Sequence, residues 1–201
     1  VHAAGSELLK VGLIGCGGRG GGAVINALKA DSHVQLTAMA DLFGDRLLKK
    51  KRELQSAGVG DKFFVDDSQC FTGFDAYRQM METDVDVVIL ATPPHFRPAH
   101  LKACVDAGKH VFCEKPVAVD APGCRSVFES VEEAKKKNLS IVSGLCWRYD
   151  AGVRETVQRI HDRAIGDIVA IQANYLTGFL WYRGRQPDWS EMEYQMRNWL
   201  Y

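Results

Sequence analysis

Several signatures of common protein classes are missing from this chain. No Cys-x-x-Cys pair occurs among its six cysteines (16, 70, 104, 113, 124 and 146), which excludes a zinc ribbon or a thioredoxin-like redox pair. Those cysteines fall mostly in apolar runs, which predicts buried free thiols rather than a disulfide framework, and no metal site. Net charge is also absent: 25 basic residues balance 25 acidic ones. That neutrality gives no pull toward nucleic acid or an anionic membrane, so neither is expected as a partner. No apolar run approaches the length needed to span a bilayer. What remains is a globular composition, 46% hydrophobic and 25% charged over 201 residues, long enough for one full domain and part of a second.

Glycine, by contrast, is plentiful, and its placement organises the chain. Lys10-Val-Gly-Leu-Ile-Gly-Cys-Gly-Gly-Arg-Gly-Gly-Gly22 begins as a buried strand, breaks into glycines, and resumes at Ala23 with helical spacing. Within it, Gly15-x-Gly17-x-x-Gly20 is a dinucleotide fingerprint set at a strand-to-helix junction. Gly15 permits the tight turn, Gly17 lets backbone approach a pyrophosphate, and Gly20 lets the helix pack closely on the strand. The phosphates would sit on unpaired N–H groups at the helix start. Gly15, Gly17, Gly18, Arg19 and Gly20 are therefore candidate cofactor residues. A second strand, Val34 to Ala40, ends in Asp41, about 20 residues past the last glycine, the distance of a carboxylate that grips a ribose 2′-hydroxyl. A strand-end cap is the plain alternative for Asp41. Asp41 favours NAD over NADP, although Arg46 nearby offers a partner for a 2′-phosphate.

The fold class that follows is α/β, a Rossmann-type doubly wound parallel sheet followed by the start of an α+β substrate domain. The expected domains are a tail at 1–10, an NAD(P)-binding domain at 11–147, and an incomplete C-terminal substrate and dimerisation domain at 148–201. Residues 1–10 are polar and small. Val1-His2-Ala3 fits both the end of a removed export leader and an ordinary tail, so cytoplasmic and exported locations stay open. Helices are predicted over 45–58, 74–82, 96–107, 121–137 and 151–164, and short strands at Phe63–Val65, Val85–Thr92, His110–Pro116 and Leu139–Trp147. The Lys49–Arg52 run reads as a solvated helix face. Asp167 to Leu176 alternates as a half-buried strand does. The 177–189 segment, with Phe179, Trp181, Tyr182, Arg183, Arg185 and Trp189, suits either sugar stacking, an oligomer contact or a loop tucked into a core. Ser190-x-x-Glu193 is a capping box that opens a final helix through Tyr201.

Two turns carry further chemistry. Thr92-Pro93-Pro94-His95 ends a nearly continuous apolar strand, and its prolines force a sharp turn at the sheet edge where ligands bind. Glu114-Lys115-Pro116 ends the next strand. A lysine there, partly desolvated with a lowered pKa, can help move a hydroxyl proton during hydride transfer. A surface Glu–Lys pair before a loop proline is the bland alternative.

From Val11 to Tyr149, the chain resembles the glucose–fructose oxidoreductase / inositol dehydrogenase (Gfo/Idh/MocA) family in order and spacing. The residues concerned are Gly15-x-Gly17-x-x-Gly20, Ala40-Asp41, Ala91-Thr-Pro-Pro-His95 and above all Ala107-Gly-Lys-His-Val-Phe-Cys-Glu-Lys-Pro116. The resemblance implies a catalytic role for Lys115, a place beside the nicotinamide ribose for Glu114, and a cofactor border at Thr92, Pro93, Pro94 and His95. It implies NAD as cofactor, with NADP also possible, and a small sugar or polyol substrate. Arg148 and Tyr149 match the entry to the substrate domain. Homo-oligomers in the family depend on the complete C-terminal domain. The Asp and His that complete the family's catalytic group have no match among the histidines at 2, 33, 95, 100, 110 and 161. The chain is therefore expected to lack its C-terminal half, to bind NAD, and to catalyse poorly or not at all. Three functions stay open at this point: a sugar or cyclitol dehydrogenase, an NAD-dependent glycosidase, and a non-catalytic nucleotide-binding protein.

Overall fold

A computed structural model describes residues 7–200; the Val1-His2-Ala3 reading and Tyr201 lie outside the described residues. The described chain falls into two units, one ending at Leu145 and the other beginning at Cys146.

The first unit is a parallel sheet of six strands. In chain order they are β1 (Leu9–Ile14), β2 (Val34–Asp41), β3 (Cys70–Thr72), β4 (Val87–Leu90), β5 (His110–Cys113) and β6 (Ile141–Ser143). In space they run β3-β2-β1-β4-β5-β6, every neighbouring pair parallel. The helices between them are α1 (Gly18–Ala30), α2 (Gly44–Gln55), α3 (Ala76–Met81), α4 (Arg97–Asp106) and α5 (Ala121–Lys136). Strand order reverses between β1 and β4, so a crevice opens there at the carboxyl edge.

Alternation along the strands feeds two apolar layers, changing phase once in β2, between Leu36 and Ala38, where the register to β1 slips by one residue. Val11 and Leu13 of β1, with Leu36 and Met39 of β2 and Ile89 of β4, pack with Val24 and Leu28 of α1 and Leu47 and Leu54 of α2. Ile14, Ala38, Ala40, Val88 and Leu90 point the other way and pack with Met80 of α3 and Leu101, Cys104 and Val105 of α4. Each fully buried leucine or valine contributes roughly 1.5–3 kcal/mol. Burial on both faces explains the near-continuous apolar strands.

The sequence reading differs from the structure at particular places. Phe63–Val65 is not a strand; Phe63 makes only an isolated bridge to Leu36, and the third strand is Cys70–Thr72. Lys51 is buried rather than solvated, because Leu47, Lys51 and Leu54 share the inward face of α2, and its ammonium meets Asp67 at 2.7 Å. Of the six thiols, all free, Cys16, Cys104 and Cys113 are buried, whereas Cys124 and Cys146 are exposed.

The second unit carries α6 (Ala151–His161) and α7 (Glu191–Arg197). Asp150 caps α6 by accepting from Val153 N (2.8 Å), and Ser190 caps α7 by accepting from Glu193 N (3.1 Å), as the capping-box spacing predicts. The helix ends at Arg197, short of the predicted Tyr201. The expected strand over Asp167–Leu176 does not form. Its backbone has no neighbouring strand among the described residues, and Val169 and Leu176 are almost fully exposed. In the 181–189 segment, Trp181 meets Trp199 (5.8 Å), the Arg197 guanidinium lies over Trp189 (4.7 Å), and the Arg185 guanidinium covers Tyr194 (4.1 Å). Asn198 bonds both the N–H and the carbonyl of Arg183. Trp189 is thus held by α7, and Trp181 by the residues that follow it.

Gly20 is the tightest point of the first unit, since a Cβ there would overlap the Gly15 carbonyl oxygen. Gly20→Ala is expected to cost at least about 1–3 kcal/mol, as overpacking does, read as a lower urea midpoint.

Candidate functional site

Four consecutive strands in space, β2, β1, β4 and β5, end at the same edge, and each delivers one of the candidate segments. The hydrogen-bond ladder continues into these turns: Gly15 N donates to Ala40 O (2.8 Å), Ala91 N to Ile14 O (2.8 Å) and Glu114 N to Leu90 O (2.9 Å). The turns are thus built as extensions of the sheet.

At the centre, Gly15 has φ of 101°, and a Cβ would come within 2.6 Å of the Ala91 carbonyl carbon. Only glycine satisfies both conditions. Helix α1 then begins with Gly17 as N-cap, with no side-chain cap and no acidic residue in its first turn. The first N–H groups of the helix lack intrahelical acceptors, and the helix dipole is positive there. A Cβ at Gly17 or Gly18 would meet nothing within 4 Å, so the turn is open beside these two residues. A pyrophosphate fits this arrangement of bare donors, positive dipole and open approach.

Asp41 ends β2 at this edge. It is 5% exposed and accepts from Cys16 N (2.7 Å) through Oδ2 and from Phe43 N (2.9 Å) through Oδ1. It therefore does cap the strand end. Each oxygen keeps a second lone pair for a ribose hydroxyl. Burial pushes its carboxyl above the usual range, opposed by those backbone donors and by Arg46. The Arg46 guanidinium lies 5.2 Å from the Phe43 ring centre.

On the other side, Thr92, Pro93 and Pro94 turn the chain after β4, with Pro94 buried and His95 exposed against Phe96. Beyond β5, Glu114 turns inward, 3% exposed, and its Oε1 meets Arg19 Nε at 2.6 Å. Its Oε2 accepts from the Lys115 N–H at 3.2 Å. Gly144 makes room for it, because a Cβ there would come within 2.9 Å of the carboxylate. The Arg19–Glu114 pair ties the glycine turn to the end of β5 across the crevice. Lys115 was expected to be partly desolvated; its side chain is exposed, because the turn projects outward once Glu114 points in. Its ammonium has no ion-pair partner among the described residues. The Lys115–Pro116 peptide is cis. Arg148 and Tyr149 belong to the second unit, where both are exposed on a short 3₁₀ turn, Cys146–Tyr149.

Sequence reasoning missed two buried polar residues on α4. His100 Nδ1 lies 3.3 Å from the Thr92 hydroxyl, and its ring stacks on Tyr77 at 4.3 Å. Arg97 donates through Nη1 to the Pro116 carbonyl. A signal did exist: both sit on the stripe of α4 that also carries Leu101 and Cys104, which the helical period turns inward.

A doubly wound sheet with an anion-ready glycine turn and a strand-end carboxylate defines a dinucleotide-binding protein of the Rossmann class. The model of the GFO_IDH_MocA family, described as an oxidoreductase family with an NAD-binding Rossmann fold, matches residues 9–142, and the chain belongs to that family. Inositol 2-dehydrogenase 3 of Saccharopolyspora erythraea is 30% identical over 158 residues, 79% of this chain and 42% of that protein. A glycosyl hydrolase family 109 protein of Solibacter usitatus is 30% identical over 145 residues, 71% of this chain and 32% of that one. Among solved structures, scyllo-inositol dehydrogenase from Lactobacillus casei with bound NAD(H) and scyllo-inositol superposes with a TM-score of 0.61. It is 25% identical, over 80% of this chain and 43% of that one. The chain thus spans less than half the length of these relatives.

Burial lowers the His100 pKa to about 4 from 6.5. Its contribution is fully present above about pH 6.5 and is lost as pH falls toward 4, when the unfolded chain takes up a proton the folded one refuses. On the order of 3 kcal/mol is expected to disappear across that window. His100→Gln should flatten that part of the stability–pH curve, measured by urea unfolding at several pH values.

Proposed function

We propose that this chain belongs to an NAD(P)-dependent oxidoreductase that moves a hydride between a secondary alcohol of a cyclitol or sugar and nicotinamide. The observation that carries this reading is the shared edge, where an uncapped helix start, a strand-end carboxylate and a lysine ammonium with no ion-pair partner among the described residues are brought together on neighbouring strands. The first N–H groups of α1 hold the pyrophosphate, and Arg19 adds a positive group beside it. Asp41 accepts from the adenosine ribose, which favours NAD over NADP, because a 2′-phosphate would face its negative charge. Thr92, Pro93, Pro94 and His95 border the nicotinamide half, with the Thr92 hydroxyl held by a neutral His100. Glu114, fixed by Arg19, lies by the second ribose. The bound nicotinamide supplies the hydride acceptor. Lys115 Nζ would donate to the substrate hydroxyl oxygen and stabilise the negative charge that grows there as the carbon gives up hydride, with the hydroxyl proton passing to water. Arg148 and Tyr149 are proposed to contact substrate.

The inositol dehydrogenases among the relatives point to a cyclitol as the first substrate class to test. The likeness to glycosyl hydrolase family 109 proteins favours a second reading, an NAD-dependent glycosidase on the same cofactor site. Release of free sugar without net NADH identifies that reading, and stoichiometric NADH with an oxidised polyol identifies the first.

Asp41→Ala is expected to weaken NAD by about tenfold or more while weakening NADP less, since the lost bond is charge-assisted. Lys115→Ala should leave NAD affinity within about threefold. Both are read by calorimetric titration. Failure of the wild-type chain to bind either nucleotide at millimolar levels would overturn the proposal.

A further inference from the structure

Arg97 is a residue in the wrong place by every local rule. It is the first residue of α4, where the helix dipole disfavours a cation, and no acidic residue occupies that first turn. It is also 5% exposed, so the guanidinium is taken out of water. Burial pulls its pKa down, and Cys113 and Glu114 oppose that. An apolar side chain of similar volume would fill this space at no electrostatic cost. The arginine must therefore supply something an apolar residue cannot.

What it supplies is a grip on the turn beyond β5. Its Nη1 donates to the carbonyl of Pro116, immediately after Lys115, while Nε finds no acceptor among the described residues. On the other flank, Arg19 holds the Glu114 carboxylate, which accepts from the Lys115 N–H. Two guanidiniums thus bracket Lys115, one from the glycine turn through Glu114 and one from α4 through Pro116. Lys115 itself is exposed, and nothing else among the described residues anchors its side chain. We infer that Arg97 is a positioning residue, whose bond to the Pro116 carbonyl sets the direction in which the Lys115 ammonium leaves the sheet edge. This rests on the proposed role of Lys115 beside the cofactor. Arg97 touches neither nucleotide nor substrate in this scheme; it acts through the turn.

The test uses the 201-residue chain with its lysines dimethylated by ¹³C-formaldehyde and a mild hydride donor. The Lys115 signal is assigned by its loss in Lys115→Arg. In the wild-type chain that signal should be distinct and should move when NAD is added. In Arg97→Met it should shift toward the crowded region of unrestrained lysines and lose at least half its response to NAD. NAD affinity should stay within about threefold, and Arg97→Lys, which keeps a donor, should restore part of the response. Arg97→Gln serves if the methionine variant does not fold. An unchanged Lys115 signal in any folded, donor-shortened variant overturns the inference, and so does a failure of every Arg97 variant to fold, which would make the residue structural. A wild-type Lys115 signal indifferent to bound NAD would instead sink the reading of Lys115, leaving the unliganded shift to judge Arg97.

Discussion

The structure depends on one close approach, that of the α1 N-terminus to the ends of β1 and β4. Gly15 lies against the Ala91 and Thr92 backbone, and Gly20 lies against the Gly15 carbonyl, with no space for a Cβ at either position. Because these contacts are backbone to backbone, they cannot be relieved by a rotamer change. They bring the uncapped N–H groups of α1 to the point where strand order reverses, the one place along this edge where the helices diverge to opposite faces. The anion-binding property and the crevice are therefore one consequence of the same packing.

A second layer of organisation is polar, with Asp41, Glu114, Arg97 and His100 buried, Thr92 half-buried and Arg19 exposed. Asp41 accepts from the N–H groups of Cys16 and Phe43, so it shapes the glycine turn. Glu114, Arg19, Arg97, His100 and Thr92 link the ends of β4 and β5 to α1 and α4. Buried polar groups of this kind cost stability unless each is bonded. Asp41, Glu114, Arg97 and His100 gather at this carboxyl edge, while Lys51 and Ser130 are buried elsewhere, on α2 and α5. An edge that is rigid before any ligand arrives lowers the ordering cost of binding.

How much of this was visible in the sequence follows from how local each feature is. The strand–glycine–helix junction and the Thr92–His95 turn are coded by residues a few positions apart, and Asp41 by its distance from the glycines, whereas the Glu114-Lys115-Pro116 turn is ambiguous in its own residues and is singled out only by the family resemblance. Their partners are not local. Arg97 and His100 act on Pro116 and Thr92 across a helix–strand contact, and only the fold shows that their side chains turn inward. Lys51 was misread for the same reason, since a run of four cations conceals the member that helical periodicity buries. Asp167–Leu176 shows the converse error: alternation makes a segment suitable for a sheet, but a strand exists only where another strand supplies its hydrogen bonds. Exposure of Lys115, too, was set by its neighbour, because Glu114 takes the inward position.

The central claim is that the bare donors at the start of α1 receive a pyrophosphate and that the nucleotide then runs over β4 and β5. Hydrogen–deuterium exchange with and without NAD tests it most directly. Amides of residues 17–20, together with those of Thr92, His95, Phe96, Glu114, Lys115 and Val117, should slow by about tenfold or more on saturation, while α7 is unaffected. Saturable NAD binding that leaves residues 17–20 exchanging at their original rate would contradict the account.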